Sequence, residues 1–282
     1  MERDPAAVVR QNAEGLNSEK EKQRIGERLL GRDLATLVSP AANSFRGDPA
    51  ATAEALFRAG ESARGILNDP ISRASFAATM LEKAGITEAD LFPIIPGERP
   101  IRVLYARAGA ADRAFRLLSA NLADLRVAYA ETNLDAAEGV ESGDADLLLL
   151  PYADAAGNRV LSTETLSETH GLYLVALLRV KVGDGLIYGL YGRAILPRRN
   201  GKTTLSLSLP SPDAATLSGI YAFADESRLI PESATVRSDG GRATLSFTGE
   251  RDGCLAAAVY CLSFCPGCEL RGWRSAQPFA ER

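Results

Sequence analysis

The stretch Phe92-Pro-Ile-Ile-Pro-Gly-Glu-Arg-Pro100 puts three prolines and a glycine between two regions of different hydrophobic period. Proline fixes φ and removes a backbone donor, so neither a helix nor a central strand runs through such a segment. From Glu14 to Ala84 apolar residues recur at three and four: Ile25, Leu29, Leu30, Leu34 and Leu37, then Leu56, Phe57, Ile66 and Leu67. That spacing predicts helices. Asp48-Pro49 predicts a helix start, because Asp caps free N–H groups and Pro suits the first turn. A further helix is expected over Ser72 to Lys83, stopping at Gly85, with Thr87 capping the next turn.

Beyond the proline segment, strand and helix alternate. The expected order is strand Ile101–Tyr105, helix Ala111–Ala120, strand Leu125–Tyr129, helix Asn133–Ser142 and buried strand Asp146–Leu150, closed by Pro151. A βαβαβ order with short turns implies parallel pairing, with ligands at the carboxyl edge of the strands. Strands Leu172–Val182 and Leu186–Leu196 follow, joined by a hairpin turn at Gly183-Asp-Gly185. After the basic junction Pro197–Gly201 come strand Thr203–Leu209, helix Ala214–Asp225, a strand near Ala234–Arg237, strand Ala243–Thr248, helix Asp252–Phe264 and strand Glu269–Arg274. This βαββαβ order describes a ferredoxin-like sandwich. The fold class expected is thus mixed α+β and α/β, with a helical N-terminal region over 1–98, an α/β lobe over 99–196 and a ferredoxin-like unit over 197–282.

Composition narrows the function classes. At 282 residues, with 46% hydrophobic and 24% charged residues, a globular protein of two or three domains is expected rather than a disordered or fibrous one. The most apolar stretches, Asp146–Pro151 and Gly171–Val182, are too short or too charged to match the ~20 residues of a membrane span. Met1–Arg10 contains acids and lacks an apolar core, so no export signal is read and a cytoplasmic location is expected. A net charge of −4 with scattered basic residues argues against nucleic acid as a partner.

The residues from 101 onward resemble prephenate dehydratase, which converts prephenate to phenylpyruvate, together with its C-terminal ACT regulatory domain. Val103–Ala114 resembles the family's opening strand and glycine turn, and Gly143–Asp154 the strand ending in its Pro-Ile-Glu-Asn motif. Lys202–Pro210 is similar to the first ACT strand, and Cys261–Trp273 to the helix-to-strand exit of that domain. The departures bear on activity. The family's catalytic Thr-Arg-Phe stands here as Gly192-Arg193-Ala194, its Glu-Asn as Ala153-Asp154, and its Ser-Ser as Ala155-Ala156. About 40 residues separate Pro151 from Gly192, too few for the family's second lobe. In the regulatory unit, Gly-Ala-Leu becomes Ala214-Ala215-Thr216, and Glu-Ser-Arg-Pro has no counterpart between Ala234 and Ser238.

The resemblance therefore implies an impaired dehydratase relative that binds a small carboxylate metabolite or an aromatic amino acid, with no cofactor. Arg107, Asp154 and Arg193, at expected strand ends, are the candidate pocket residues, and Asp213 is added as a ligand-binding candidate. Thr163, Thr165 or Thr169 would replace the missing hydroxyl if activity survives. Family members fused to a chorismate mutase suggest that the N-terminal helices are a mutase-like relic. Ala53–Arg64 is similar to the last mutase helix, and Arg24, Arg28 and Arg32 share one helix face. An open strand edge of the ACT-like sheet predicts a homodimer and leaves a purely structural dimerisation module as an alternative to metabolite binding.

Other residues carry chemistry only by type. Cys254, Cys261 and Cys265 fall on one helical stripe and read as core packing; with Cys268 they leave zinc or redox chemistry as alternatives. His170, the sole histidine, reads as a turn residue. Gly183–Gly189 joins strand to strand and so fails as a dinucleotide fingerprint. Glu19–Arg24 reads as a solvated helix face.

Overall fold

The computed structural model describes residues 48–67, 69–97, 99–154, 156–181, 186–196, 201–236 and 241–280. The readings on residues 1–47, including Arg24, Arg28 and Arg32, and the Gly183-Asp-Gly185 turn lie outside the described residues. The chain is a mixed α/β protein built on one sheet.

The helices come first. Helix α1 (Pro49–Arg64) starts where Asp48 accepts from Ala50 N and Ala51 N, with proline in its first turn. Helix α2 (Pro70–Ala84) is capped by Asp69 and stopped by Gly85, whose φ of 62° is the left-handed conformation that ends helices. The short helix α3 (Glu88–Leu91) is entered through a capping box between Thr87 and Asp90.

The lobe follows as β1 (Ile101–Ala106), α4 (Gly109–Ser119), β2 (Leu125–Ala130), α5 (Asn133–Glu141) and β3 (Leu147–Asp154). β1 pairs in parallel with β2 and with β3, as the βαβαβ pattern predicts. α4 packs on one face of this sheet and α5 on the other. That is why Leu147 and Leu149 enter one core while Leu148 and Leu150 enter another. β3 does not stop at Pro151: it runs to Asp154 across a register shift, the place where a strand tolerates a residue without an N–H. Next come α6 (Leu161–Thr169), which the sequence reading missed, then β4 (Tyr173–Val180) and β5 (Leu186–Gly192). β5 pairs antiparallel with both β3 and β4.

The remainder is β6 (Thr203–Pro210), α7 (Ala214–Glu226), β7 (Ile230–Val236), β8 (Arg242–Gly249), α8 (Arg251–Phe264), β9 (Glu269–Ser275) and β10 (Phe279–Ala280). The antiparallel order β9-β6-β8-β7 is the ferredoxin-like arrangement. β9 also pairs with β4 and β10 pairs with β4, so the two halves share one sheet in the order β2-β1-β3-β5-β4-β9-β6-β8-β7.

In α8 every residue from Cys254 to Phe264 except the half-buried Ala256 is buried, as a helix apolar nearly all round must be. One side packs on β6 and β8 and the other on α1 and α2. The cysteine stripe is therefore core: Cys254, Cys261 and Cys265 are buried, and Cys254 Sγ donates to Thr203 O at 3.4 Å.

Asp146 fastens the entry to the lobe. Arg99 grips its carboxylate with Nη1 at 2.9 Å and Nη2 at 2.6 Å, and Arg102 N donates at 2.8 Å. Burial pushes this carboxyl up, but the Arg99 and Arg102 hydrogen bonds outweigh it and hold the group below its ordinary 3.8. A folded pKa below the unfolded one means the contribution is complete above 3.8 and disappears as pH falls through the folded value. Asp146→Asn is expected to be less stable than the wild type near neutral pH. The two denaturation midpoints should converge as pH falls through the folded-state value, and a difference that stays constant with pH refutes the assignment.

Candidate functional site

The ferredoxin-like half presents a hydroxyl-covered face, and the cause is strand alternation. Leu205, Leu207, Leu209, Leu245 and Phe247 are buried in the main core with α7 and α8. The intervening Thr204, Ser206 and Ser208 of β6, and Thr244, Ser246 and Thr248 of β8, point the other way. They pair as the register dictates: Thr204 with Thr248 at 2.6 Å and Ser206 with Ser246 at 2.9 Å between hydroxyl oxygens.

The lobe leans over this face and leaves a narrow, open cleft. Its floor is Ser206, Thr244 and Ser246. Tyr152, Leu174 and Tyr191 form the lobe wall, and Arg159, Glu164, Ser167, Glu168 and Arg271 supply the polar rim. Glu164 and Glu168 are four apart on α6 and share a face. Arg159 lies with Cζ 4.1 Å from the centre of the Tyr152 ring, donates to Ser233 Oγ at 3.3 Å, and has Nη1 3.9 Å from Glu164 Oε1. Arg271 is 18% exposed at its side chain and pairs with Glu269. Its Nε is buried and has no hydrogen-bond partner among the described residues.

Burial holds both phenols neutral here. It pushes the Tyr191 hydroxyl far up, and that of Tyr152 up against the opposing pull of Arg159. On the same face of the sheet, Arg274, 3% exposed at its side chain, meets both carboxylate oxygens of Glu232 at 2.7 Å. Burial raises the Glu232 pKa, but Arg274 more than offsets it, and the carboxyl is held below its ordinary range. The cleft thus offers two guanidiniums, two carboxylates, neutral hydroxyls and an aromatic wall. Groups of these kinds can pair with a small zwitterion or carboxylate. Ser206 and Ser246 bond to each other rather than to a base. His170 instead caps α6, with Nδ1 2.6 Å from Glu141 Oε2.

The residues expected from the sequence lie elsewhere. Arg107 follows β1, is 69% exposed at its side chain, and sits over the Tyr129 ring at 4.9 Å. Asp154 accepts from Asn158 N and Nδ2, both at 2.8 Å, and so closes the turn after β3. Arg193 is not near either. The pairing Leu147↔Gly192 puts it at the amino end of β3, where Nη1 donates to Glu141 O at 3.2 Å. The reason is the antiparallel run of β5, which carries its carboxyl end to the opposite edge of the sheet. A pocket of Arg107, Asp154 and Arg193 is therefore not assembled. Asp213 caps α7 by accepting from Thr216 N at 2.7 Å.

Among the candidate hydroxyls, Thr163 donates to Pro151 O at 2.6 Å, while Thr165 and Thr169 are exposed on α6. At Gly192, a Cβ would fall 2.7 Å from Asp146 O and 2.6 Å from Leu147 Cδ2, so the position has no room for a threonine. Sequence reasoning missed Arg159, Arg271 and the serine and threonine ladder. The alternating hydroxyls at 204, 206 and 208 and at 244, 246 and 248 were the available signal.

Solved structures share this fold. Prephenate dehydratase from Arthrobacter aurescens, in complex with L-Phe, matches with a TM-score of 0.50 at 13% identity, over 63% of this chain and 92% of that one. Prephenate dehydratase from Streptococcus mutans matches with a TM-score of 0.49 at 13% identity, over 64% of this chain and all (100%) of that one. GqqA, described as a novel type of quorum quenching acylase, matches with a TM-score of 0.48 at 22% identity, over 65% of this chain and 98% of that one. At these identities the likeness is one of fold. No protein-family model and no curated protein matches the sequence. Among the described residues no helix is long and apolar enough to cross a membrane.

Proposed function

We propose that this chain is a non-catalytic relative of prephenate dehydratase whose cleft binds a small carboxylate metabolite, with an aromatic amino acid as the best-suited occupant. The observation that carries this reading is the pair of guanidiniums, Arg159 and Arg271, lining a cleft floored by hydroxyls. A ligand carboxylate would pair with Arg271, with Arg159 as the second cation. Glu164 and Glu168 suit an ammonium group, and Tyr152, Tyr191 and Leu174 an aromatic ring.

Loss of dehydratase activity is part of the same reading. The resemblance assigns the catalytic threonine to Gly192, where packing leaves no space, and Thr163 is already committed to Pro151. The βαββαβ half is read as an ACT-like regulatory unit and the N-terminal helices as a mutase relic. Dimerisation would use the β7 edge, where Ile230 and Val236 are exposed. The setting is aromatic amino acid metabolism in the cytoplasm.

Thermal-shift titration with phenylalanine, tyrosine, tryptophan, prephenate and chorismate tests the reading. One of them is expected to stabilise the protein with the logarithm of its concentration, by about 2.7 kcal/mol at a hundredfold excess over Kd. Arg271→Ala should abolish the shift and Arg107→Ala should preserve it. No shift with any of the five, or robust formation of phenylpyruvate from prephenate, would overturn the reading.

A further inference from the structure

α8 ends in three thiols that the cleft does not use. Cys265 N donates to Cys261 O at 2.9 Å, and Cys268 N donates to Cys265 O at 3.1 Å. The second bond closes a turn with Pro266 and Gly267 at its centre, and Gly267 has a φ of 69°. Proline followed by a left-handed glycine is the sequence of a type II turn. It folds the chain back so that Cys261, in the last turn of α8, has Cys265 and Cys268 as neighbours. Cys261 and Cys265 are buried and Cys268 is half-buried. Cys268 also lines an open hollow with Asp48, Pro49, Leu270 and Arg271, which gives a small molecule a route to that residue.

The surroundings are cationic. Arg64 Nη2 donates to Phe264 O at 3.1 Å, and Arg73 Cζ lies 5.5 Å from the Phe264 ring centre. The Cys261 hydrogen bond, then Arg64 and Arg73, pull the Cys265 thiol below its ordinary value against its burial. The same hydrogen bond, the contact with Cys268 and burial push the Cys261 thiol up. Among the described residues no group of three His, Cys, Asp or Glu side chains is arranged to hold a metal ion. Neighbouring thiols of this kind are suited to thiol–disulfide exchange.

We propose that the end of α8 is a redox site at which a low-molecular-weight disulfide joins the hollow-facing Cys268 to Cys261 behind it. The Cys268 thiolate attacks one sulfur of the small disulfide, forming a mixed disulfide and releasing the first small thiolate, which takes up the Cys268 proton. Cys261 sulfur then attacks Cys268 Sγ, breaking the mixed disulfide and releasing the second small thiolate. The Cys261 proton passes to Cys265 and on to that thiolate. Two protein thiols lose two electrons, and one small disulfide becomes two thiols. Cys265 acts here as a positioning residue and proton acceptor.

The test is to equilibrate the full-length protein with oxidised glutathione, alkylate the remaining thiols, digest, and map the cysteines by mass spectrometry. The expected result is a Cys261–Cys268 linked peptide, lost on dithiothreitol treatment, with Cys254 and Cys265 alkylated. Cys268→Ser should lose the linkage and all glutathione incorporation. Cys261→Ser should instead accumulate glutathione on Cys268. The wild-type map stands alone if the buried substitution impairs folding. A Cys268 that stays reduced, an adduct on wild-type Cys268 that never resolves, or a bond mapped to any other pair would overturn the proposal.

Discussion

Trp273→Ala should destabilise the protein by about 3–5 kcal/mol, the usual cost of emptying a large buried aromatic site. Trp273 is 1% exposed and its ring centre lies 5.5 Å from that of Phe92. Its indole Nε1 donates to Glu88 Oε1 at 2.8 Å, and Arg251 Nε donates to the same oxygen at 2.9 Å. The substitution therefore opens a cavity and also removes one of two donors from a buried carboxylate. Trp273→Phe separates the two effects. It keeps most of the volume but leaves Glu88 short of a donor, at a cost of about 1–3 kcal/mol. Because Trp273 is the sole tryptophan, urea unfolding should be followed by far-UV circular dichroism. A Trp273→Ala midpoint within experimental error of the wild type would show that β9 and α3 are not clamped together in this way.

Gly60→Val is the second large expected loss, from overpacking rather than from a void. Gly60 lies on α1, and a Cβ built there falls 1.9 Å from Ser263 O and 2.6 Å from Ser263 C. The obstacle is backbone of α8, which no rotamer change can move. The helices must separate, and Leu56 and Ala63, both fully buried on the same face of α1, lose their contact with α8. The cost should exceed the ~1–3 kcal/mol typical of an added methylene in a core. Gly65→Ala, where a Cβ meets nothing within 4 Å, is the control and should leave stability nearly unchanged. Equal midpoints for the two variants in thermal unfolding would refute the close helix crossing.

The difference between what the chain showed and what it hid follows interaction range. Helix caps at Asp48 and Thr87, the stop at Gly85 and the βαβαβ and βαββαβ orders depend on neighbours a few residues apart, and all were legible. α6 was not: Leu161–Thr169 has only Thr163 buried, so it carries little of the apolar period by which helices are recognised. The site failed for a different reason. The sequence groups Arg193 with Arg107 and Asp154 through its match to the Thr-Arg-Phe motif and an expected strand end, but β5 runs antiparallel to β3 and carries the guanidinium to the far edge. Arg159 and Arg271 stand more than a hundred residues apart in sequence. They meet only because β9 lies against β4, a pairing that no local pattern announces.

That pairing has a consequence for how molecules enter. A receptor whose jaws swing on a hinge pays for closure at each encounter, and its capture rate levels off when the swing becomes limiting. Here the strands on either side of the mouth are knitted into a single fabric through Leu174 and Gly272, and again through Leu178 and Phe279. Such a berth is already at its final width when a visitor arrives, so capture should quicken in proportion to concentration without reaching a ceiling.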